Sequence, residues 1–225
     1  TFSQSETKTI LLIVGSERGL VGRFNKTLID NLLTWLKDQD LRSYRVWVLG
    51  TRLLRDLKQH SIDVDLHTKL PASNLSSYKD AYFMTQGWLQ QFELFDFDQL
   101  IVAYNKVRNG SFYEFSTLRL LPYQATNTTE NLGKHEQLWP PPIIETAPEG
   151  IYRQILQHFI ALRFYQILLR SAAAEHAARF RLMEEAKDNA EEIIKELNID
   201  INVQRKKKIT QEMQELSSGA GLLRQ

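Results

Sequence analysis

In the stretch IVGSERGLVGRFNK, residues 13–26, an apolar run ends at Gly15, and Gly19 and Gly22 follow before a helical pattern begins. Strand, glycine-punctuated turn and helix start is the layout that cradles phosphate, because the free N–H groups of a helix N-terminus favour an anion. The spacing decides against that chemistry here. The turn reads G-x-x-x-G-x-x-G, whereas a dinucleotide site needs G-x-G-x-x-G and a P-loop ends in Gly-Lys-Ser/Thr. Glu17 and Asp30 also come too early to be the ribose-binding acid expected about twenty residues on. The glycines read instead as a tight strand-to-helix turn with positive φ.

Other reactive side chains are sparse. The five histidines, His60, His67, His135, His158 and His176, never form His-x-x-x-His, so no metal site is expected and they read as surface residues. Glu175 and His176 are adjacent on a helical pattern and so point about 100° apart, too divergent for an acid–base pair. The chain has no cysteine, which excludes disulfides, thiolate ligands and a cysteine nucleophile. A net charge of +1 argues against general nucleic-acid binding. The one cluster of charge is Arg205, Lys206, Lys207 and Lys208; four successive helical residues spread positive charge around the whole circumference.

The elements that would carry these residues form a mixed α/β pattern. TILLIVG (9–15) and YRVWVLG (44–50) are nearly all apolar, as strands covered on both faces are. Leu28, Ile29, Leu32, Leu33 and Leu36 between them recur at helical spacing, which completes a β-α-β unit. A helix follows Thr51, and another spans about 77–92 with Ala81, Thr85, Trp88 and Phe92 on one stripe. A third buried strand reads at QLIVAY (99–104), and Asn109-Gly110 predicts a hairpin into FSTLRLLP, stopped at Pro122.

Five of the six prolines fall in 122–148, including WPPPI (139–143), which marks a linker or exposed loop. The expected domains are therefore 1–148, the α/β part, and 149–225, a long helix ending at Gly219 and Gly221. Unbroken, such a helix is about 100 Å long. Phe180, Met183, Ala186, Ala190, Ile193 and Leu197 step by 3, 3, 4, 3 and 4, and Ile209, Met213, Leu216, Ala220 and Leu223 by 4, 3, 4 and 3. These are heptad spacings, and so narrow a seam calls for another helix alongside. No other segment of the sequence is long enough to supply it. No apolar run is long enough to span a membrane, and TFSQSETKT at the start lacks the order of a secretory signal. The chain reads as a soluble globular protein.

ILLIVGSERGLVGRFNKTL resembles the first strand and turn of the gamma subunit of F-type ATP synthases. SAAAEHAARFRLMEEAKDNAEEIIKEL followed by ITQEMQELSSGAGLL is similar to that family's carboxy-terminal signature, and YNKV and LLP fall where it has related strand residues. The resemblance implies a Rossmann-like α/β domain carrying an antiparallel coiled coil of the first and last helices, the first lying before the strand at which this sequence begins. It implies a non-catalytic rotor without cofactor or metal. The implied partners are the alpha and beta subunits of the catalytic hexamer, the epsilon subunit and the membrane ring of c subunits, on the cytoplasmic face of a bacterial inner membrane or an organelle equivalent. Arg205, Thr210, Gln211 and Glu212 match rotor positions facing beta-subunit loops, and Lys206, Lys207 and Lys208 replace the Gln and small residues usual there. Glu175, His176 and Arg179 match the rotor foot, near epsilon and the ring. Val21 and Arg23 depart from the family's usual Arg-Gly-Leu-Cys-Gly-Gly. Two other readings compete: a free-standing nucleotide-binding α/β protein, separable by ligand titration, and a homodimeric coiled-coil scaffold, separable by co-purification.

Overall fold

The computed structural model describes residues 7–39, 41, 43–60, 62–71, 76–108, 112–123 and 147–222, with backbone only at 220–222. Asn109-Gly110, His135, the WPPPI run and the seam side chains Ala220 and Leu223 lie outside them. The elements are β1 (Thr9–Val14), α1 (Phe24–Asp38), β2 (Tyr44–Leu49), α2 (Thr51–Gln59), β3 (Leu66–Thr68), α3 (Tyr78–Glu93), β4 (Gln99–Val107), β5 (Tyr113–Leu121) and α4 (Pro148–Leu222). One five-stranded sheet runs β3-β2-β1-β4-β5, parallel except for β5, which pairs antiparallel with β4. The expected mixed sheet is thus observed.

The alternation of side chains along each strand builds two cores. Ile10, Leu12 and Val14 turn to one face with Trp47, Val102 and Tyr104, where Ala81 and Trp88 of α3 and Ile160, Phe164 and Ile167 of α4 cover them. Leu11 and Ile13 turn to the other with Val46, Val48 and Ala103, covered by Leu28, Ile29 and Leu32 of α1 and Leu53 and Leu57 of α2. β1 is buried along its whole length, which explains its continuous apolar run. Helix α3 starts at a capping box, in which the Ser77 hydroxyl accepts from the Asp80 N–H and the Asp80 carboxylate accepts from the Ser77 N–H.

The structure adds to the sequence reading in three places. β3 was not anticipated, because a three-residue edge strand with a half-exposed pattern carries no periodicity to detect. Gly219 and Gly221 do not end α4, which continues to Leu222. By its contacts the chain forms compact units at Thr1–Phe180 and Arg181–Gln225, with the first part of α4 in the first of them. The physical reason is that Ile160, Ala161, Phe164, Ile167 and Leu168 belong to the sheet's core, so the first part of α4 is a structural layer of the α/β unit.

Leu12 is 1% exposed between β2 and β4. Leu12→Asp buries an unpaired charge and is expected to cost more than about 4 kcal/mol. Thermal unfolding followed by circular dichroism checks this; a variant melting within a few degrees of the wild type contradicts the placement of β1.

Candidate functional site

In an open sheet of this kind, ligands bind beyond the carboxyl ends of the strands, at the point where strand order reverses. Here that point lies between β1 and β4. β1 runs into Gly15 and the turn under question, which delivers the chain to α1.

Gly15 is fixed by close approach: a Cβ there would lie 2.6 Å from Leu53 Cδ2. Gly50, which precedes α2, has φ 111°, and a Cβ there would meet the Ser16 carbonyl oxygen at 2.7 Å. The turn and the start of α2 are therefore pressed together, and only glycine fits at the seam. Within the turn the left-handed residues are Leu20 (φ 60°) and Gly22 (φ 55°), while Gly19 has open space around it. The positive φ expected of the three glycines thus holds only at Gly22.

This close approach lets the turn satisfy the free N–H groups at the start of α2. The N–H groups of Arg52 and Leu53 donate to the Ser16 carbonyl at 3.2 and 3.3 Å. Glu17 accepts from the Thr51 N–H at 3.0 Å, the Thr51 hydroxyl at 2.6 Å and the Leu70 N–H at 3.0 Å. Burial opposes the Glu17 charge, but the Thr51 hydroxyl, the two N–H donors and nearby His67 outweigh it and hold the carboxyl below its ordinary value of 4.5. The anion at the start of α2 is thus one of the chain's own carboxylates. Alongside, buried Asn25 accepts from the Ser16 N–H at 3.1 Å and donates to Asp56 at 2.8 Å. Asn105 on β4 donates to the Phe24 carbonyl at 3.1 Å, tying β4 to the start of α1.

Helix α4 fills what remains. Ala174 and Ala178 pack on Val21 and Phe24, with the Tyr113 ring edge-on to Phe24 at 5.1 Å. Beside Gly15, the space bounded by Val14, Leu70, Ser171, Ala172 and Glu175 amounts to about 10 Å³, about the size of a single water. A crevice open to nucleotides in other doubly wound sheets is here a packed helix seat.

The residues singled out from sequence fall in two places. Glu175, His176 and Arg179 lie on the seated part of α4, where His176 is exposed but Glu175 is 2% exposed and accepts from Arg179 at 2.7 Å. Glu175 therefore belongs to the helix seat and is not a surface group. Met183, Ala186, Ala190, Ile193, Leu197, Ile209, Met213 and Leu216, with Arg205 to Lys208, Thr210, Gln211 and Glu212, all lie in the second unit and are exposed. Of the histidines, His67 departs from the surface reading: it is half-buried in β3. Sequence reasoning missed the bracing roles of Glu17, Asn25 and Asn105; the one signal was an acid placed two residues after the strand-ending glycine.

A family model described as ATP synthase matches residues 1–223. The chain is 28% identical over 222 residues to the ATP synthase gamma chain of Fusobacterium nucleatum, covering 98% of this chain and 75% of that one. To the ATP synthase gamma chain of Mycoplasmopsis synoviae it is 30% identical over 220 residues, covering 96% and 74%. Its fold resembles a chain in the Euglena gracilis mitochondrial ATP synthase, OSCP/F1/c-ring (TM-score 0.66, 16% identity, 98% and 74% covered). It also resembles one in the Tetrahymena thermophila mitochondrial ATP synthase central stalk and c-ring (TM-score 0.62, 21% identity, 82% and 79% covered).

Because the Glu17 carboxyl titrates below 4.5 when folded, the stability it contributes is present above that value and is lost as pH falls through the lower one. Glu17→Gln should destabilise the α/β unit by about 1 kcal/mol at pH 7 through weakened charge-assisted bonds, with the gap to wild type closing as pH falls below 4.5. Urea unfolding from pH 7 to pH 3 measures it; a gap independent of pH contradicts the assignment.

Proposed function

Because the chain belongs to the ATP synthase family as a gamma chain, we infer that it is the central rotor subunit of a proton-translocating F-type ATP synthase. It performs no chemistry itself and couples rotation of a membrane ring to conformational change in catalytic subunits. The observation that carries this reading is the seat of α4. A ligand crevice is given up so that the helix packs directly on the β1–α1 turn through Val21, Phe24, Ala174 and Ala178, with buried Glu175, held by the half-buried Arg179, beside them. Torque applied to the α/β unit reaches α4 through close-packed atoms, which transmit strain because interiors have low compressibility.

The partners are the alpha and beta subunits of the catalytic hexamer around the second unit, with epsilon and the ring of c subunits at the α/β unit. His176 is the exposed member of the foot positions. The exposed seam from Met183 to Leu216 takes the antiparallel helix of the coiled coil. Arg205 to Lys208, with Thr210, Gln211 and Glu212, meet acidic loops of the beta subunits. Among the described residues no helix is long and apolar enough to cross a membrane, which suits a subunit held at the membrane by its complex, on the cytoplasmic face in a bacterium.

Lys206, Lys207 and Lys208 changed together to Glu removes three attractions to acidic loops and adds three repulsions, each worth about 0.3 to 1 kcal/mol at exposed sites. In a reconstituted complex, ATP hydrolysis should persist while proton pumping falls. The loss should shrink as the Debye length drops from about 10 Å at 0.1 M salt to about 3 Å at 1 M. Unchanged pumping at low salt rules out the basic run as a coupling contact.

A further inference from the structure

A second cluster of positive charge lies on the α/β unit, and nothing in the helix seat uses it. Where β4 and β5 approach their connection, a cleft of about 400 Å³ opens against α4, lined by Lys106, Val107, Arg108, Glu114, Arg170 and Ala173. Three cations face one carboxylate. Lys106 and Glu114 are direct cross-strand partners, with Nζ 3.1 Å from one carboxylate oxygen, and Arg108 Nε lies 3.8 Å from the other. Arg170 approaches from α4 and makes no ion pair among the described residues.

The cleft is also held in shape. The Arg108 N–H donates to the Phe112 carbonyl at 2.9 Å, closing the β4–β5 ladder, and Arg170 stands on the turn of α4 that carries the buried Ser171 and Ala172. Cations brought together from two packed elements are pre-positioned, so an incoming anion orders little on binding. Glu114 holds Lys106 and partly holds Arg108, which leaves Arg170 and one face of Arg108 to accept a further negative group.

We propose that this cleft binds carboxylate side chains of an acidic segment on a partner protein. Two planar guanidinium groups match the geometry of a carboxylate. Val107 and the small Ala173 offer an apolar edge against which a neighbouring aliphatic side chain of such a segment rests. The ligand is not free phosphate: a carboxylate, Glu114, stands inside the cleft and repels a dianion more than a single carboxylate. The site is separate from the contact assigned to residues 205–208, and the two are tested apart.

The test uses the full chain with Arg205 to Lys208 replaced by Gln, so that the helix run cannot contribute. Binding of a fluorescein-labelled hexaglutamate peptide is followed by anisotropy at 50 mM salt. Arg108→Gln with Arg170→Gln should weaken binding about tenfold, since two exposed charge contacts are lost. Glu114→Gln should tighten it severalfold by removing the internal competitor. Inorganic phosphate should displace the peptide no better than sodium chloride of equal ionic strength. Binding that stays within twofold in the double arginine variant, or that fails to tighten with Glu114→Gln, overturns the proposal. Displacement by phosphate beyond the salt control overturns it in favour of a phosphate site. Unchanged circular dichroism melts are expected, because Arg108 and Arg170 are exposed.

Discussion

Two alanines of α4, Ala174 and Ala178, lie against Val21 and Phe24 of the turn after β1, and the rest of the molecule depends on that approach. Only a side chain as small as methyl lets a helix backbone come this near a turn, and a larger one would lift α4 from the sheet. Lifting it would uncover Phe164, Ile167 and Trp88 on the same face and strand the Glu175 carboxylate, which is tolerated in the interior because Arg179 bonds it. The contact helps hold the first part of α4 within the α/β unit, and beside Gly15 the packing leaves room for little more than a water.

The polar groups around the seat answer the same constraint. A doubly wound sheet ends its strands against helix N-termini with free N–H groups, and buried donors must find acceptors. Here they find them in Ser16 and Glu17, while Asn25 and Asn105 tie the turn to its neighbours. The features that suggest a phosphate loop, a glycine turn and a helix start, are present, and at the start of the neighbouring α2 the acceptor is internal. This is how an architecture used elsewhere for ligands serves a mechanical purpose.

The second unit rests on different physics. From Arg181 onward the side chains are almost all exposed, among them Ile193, Leu197, Ile209, Met213 and Leu216. Helix-favouring residues and i,i+4 pairs such as Arg181–Glu185 and Lys187–Glu191 support the helix locally, each by a few tenths of a kcal/mol. The apolar stripe adds nothing until another surface covers it. Such a segment keeps its apolar stripe exposed, in contrast to the self-satisfied seat.

Sequence alone determined the alternation of buried strands and helices, because β1, β2 and β4 are covered on both faces and their apolar runs leave no other reading. It determined the long helix and the heptad spacing of its apolar stripe, since periodicity is a local property, and the spacing of Gly15, Gly19 and Gly22 argued against a nucleotide loop. The family resemblance rested on those same local strings. Tertiary structure decided what depends on residues far apart in the chain. It placed the three-residue β3, showed that Gly15 is required by Leu53 and Gly50 by Ser16, and took Glu175 from an expected surface contact into the interior. It also put the first part of α4 into the sheet's core, because whether a stretch of helix is core or free depends on what packs against it, which no periodicity records.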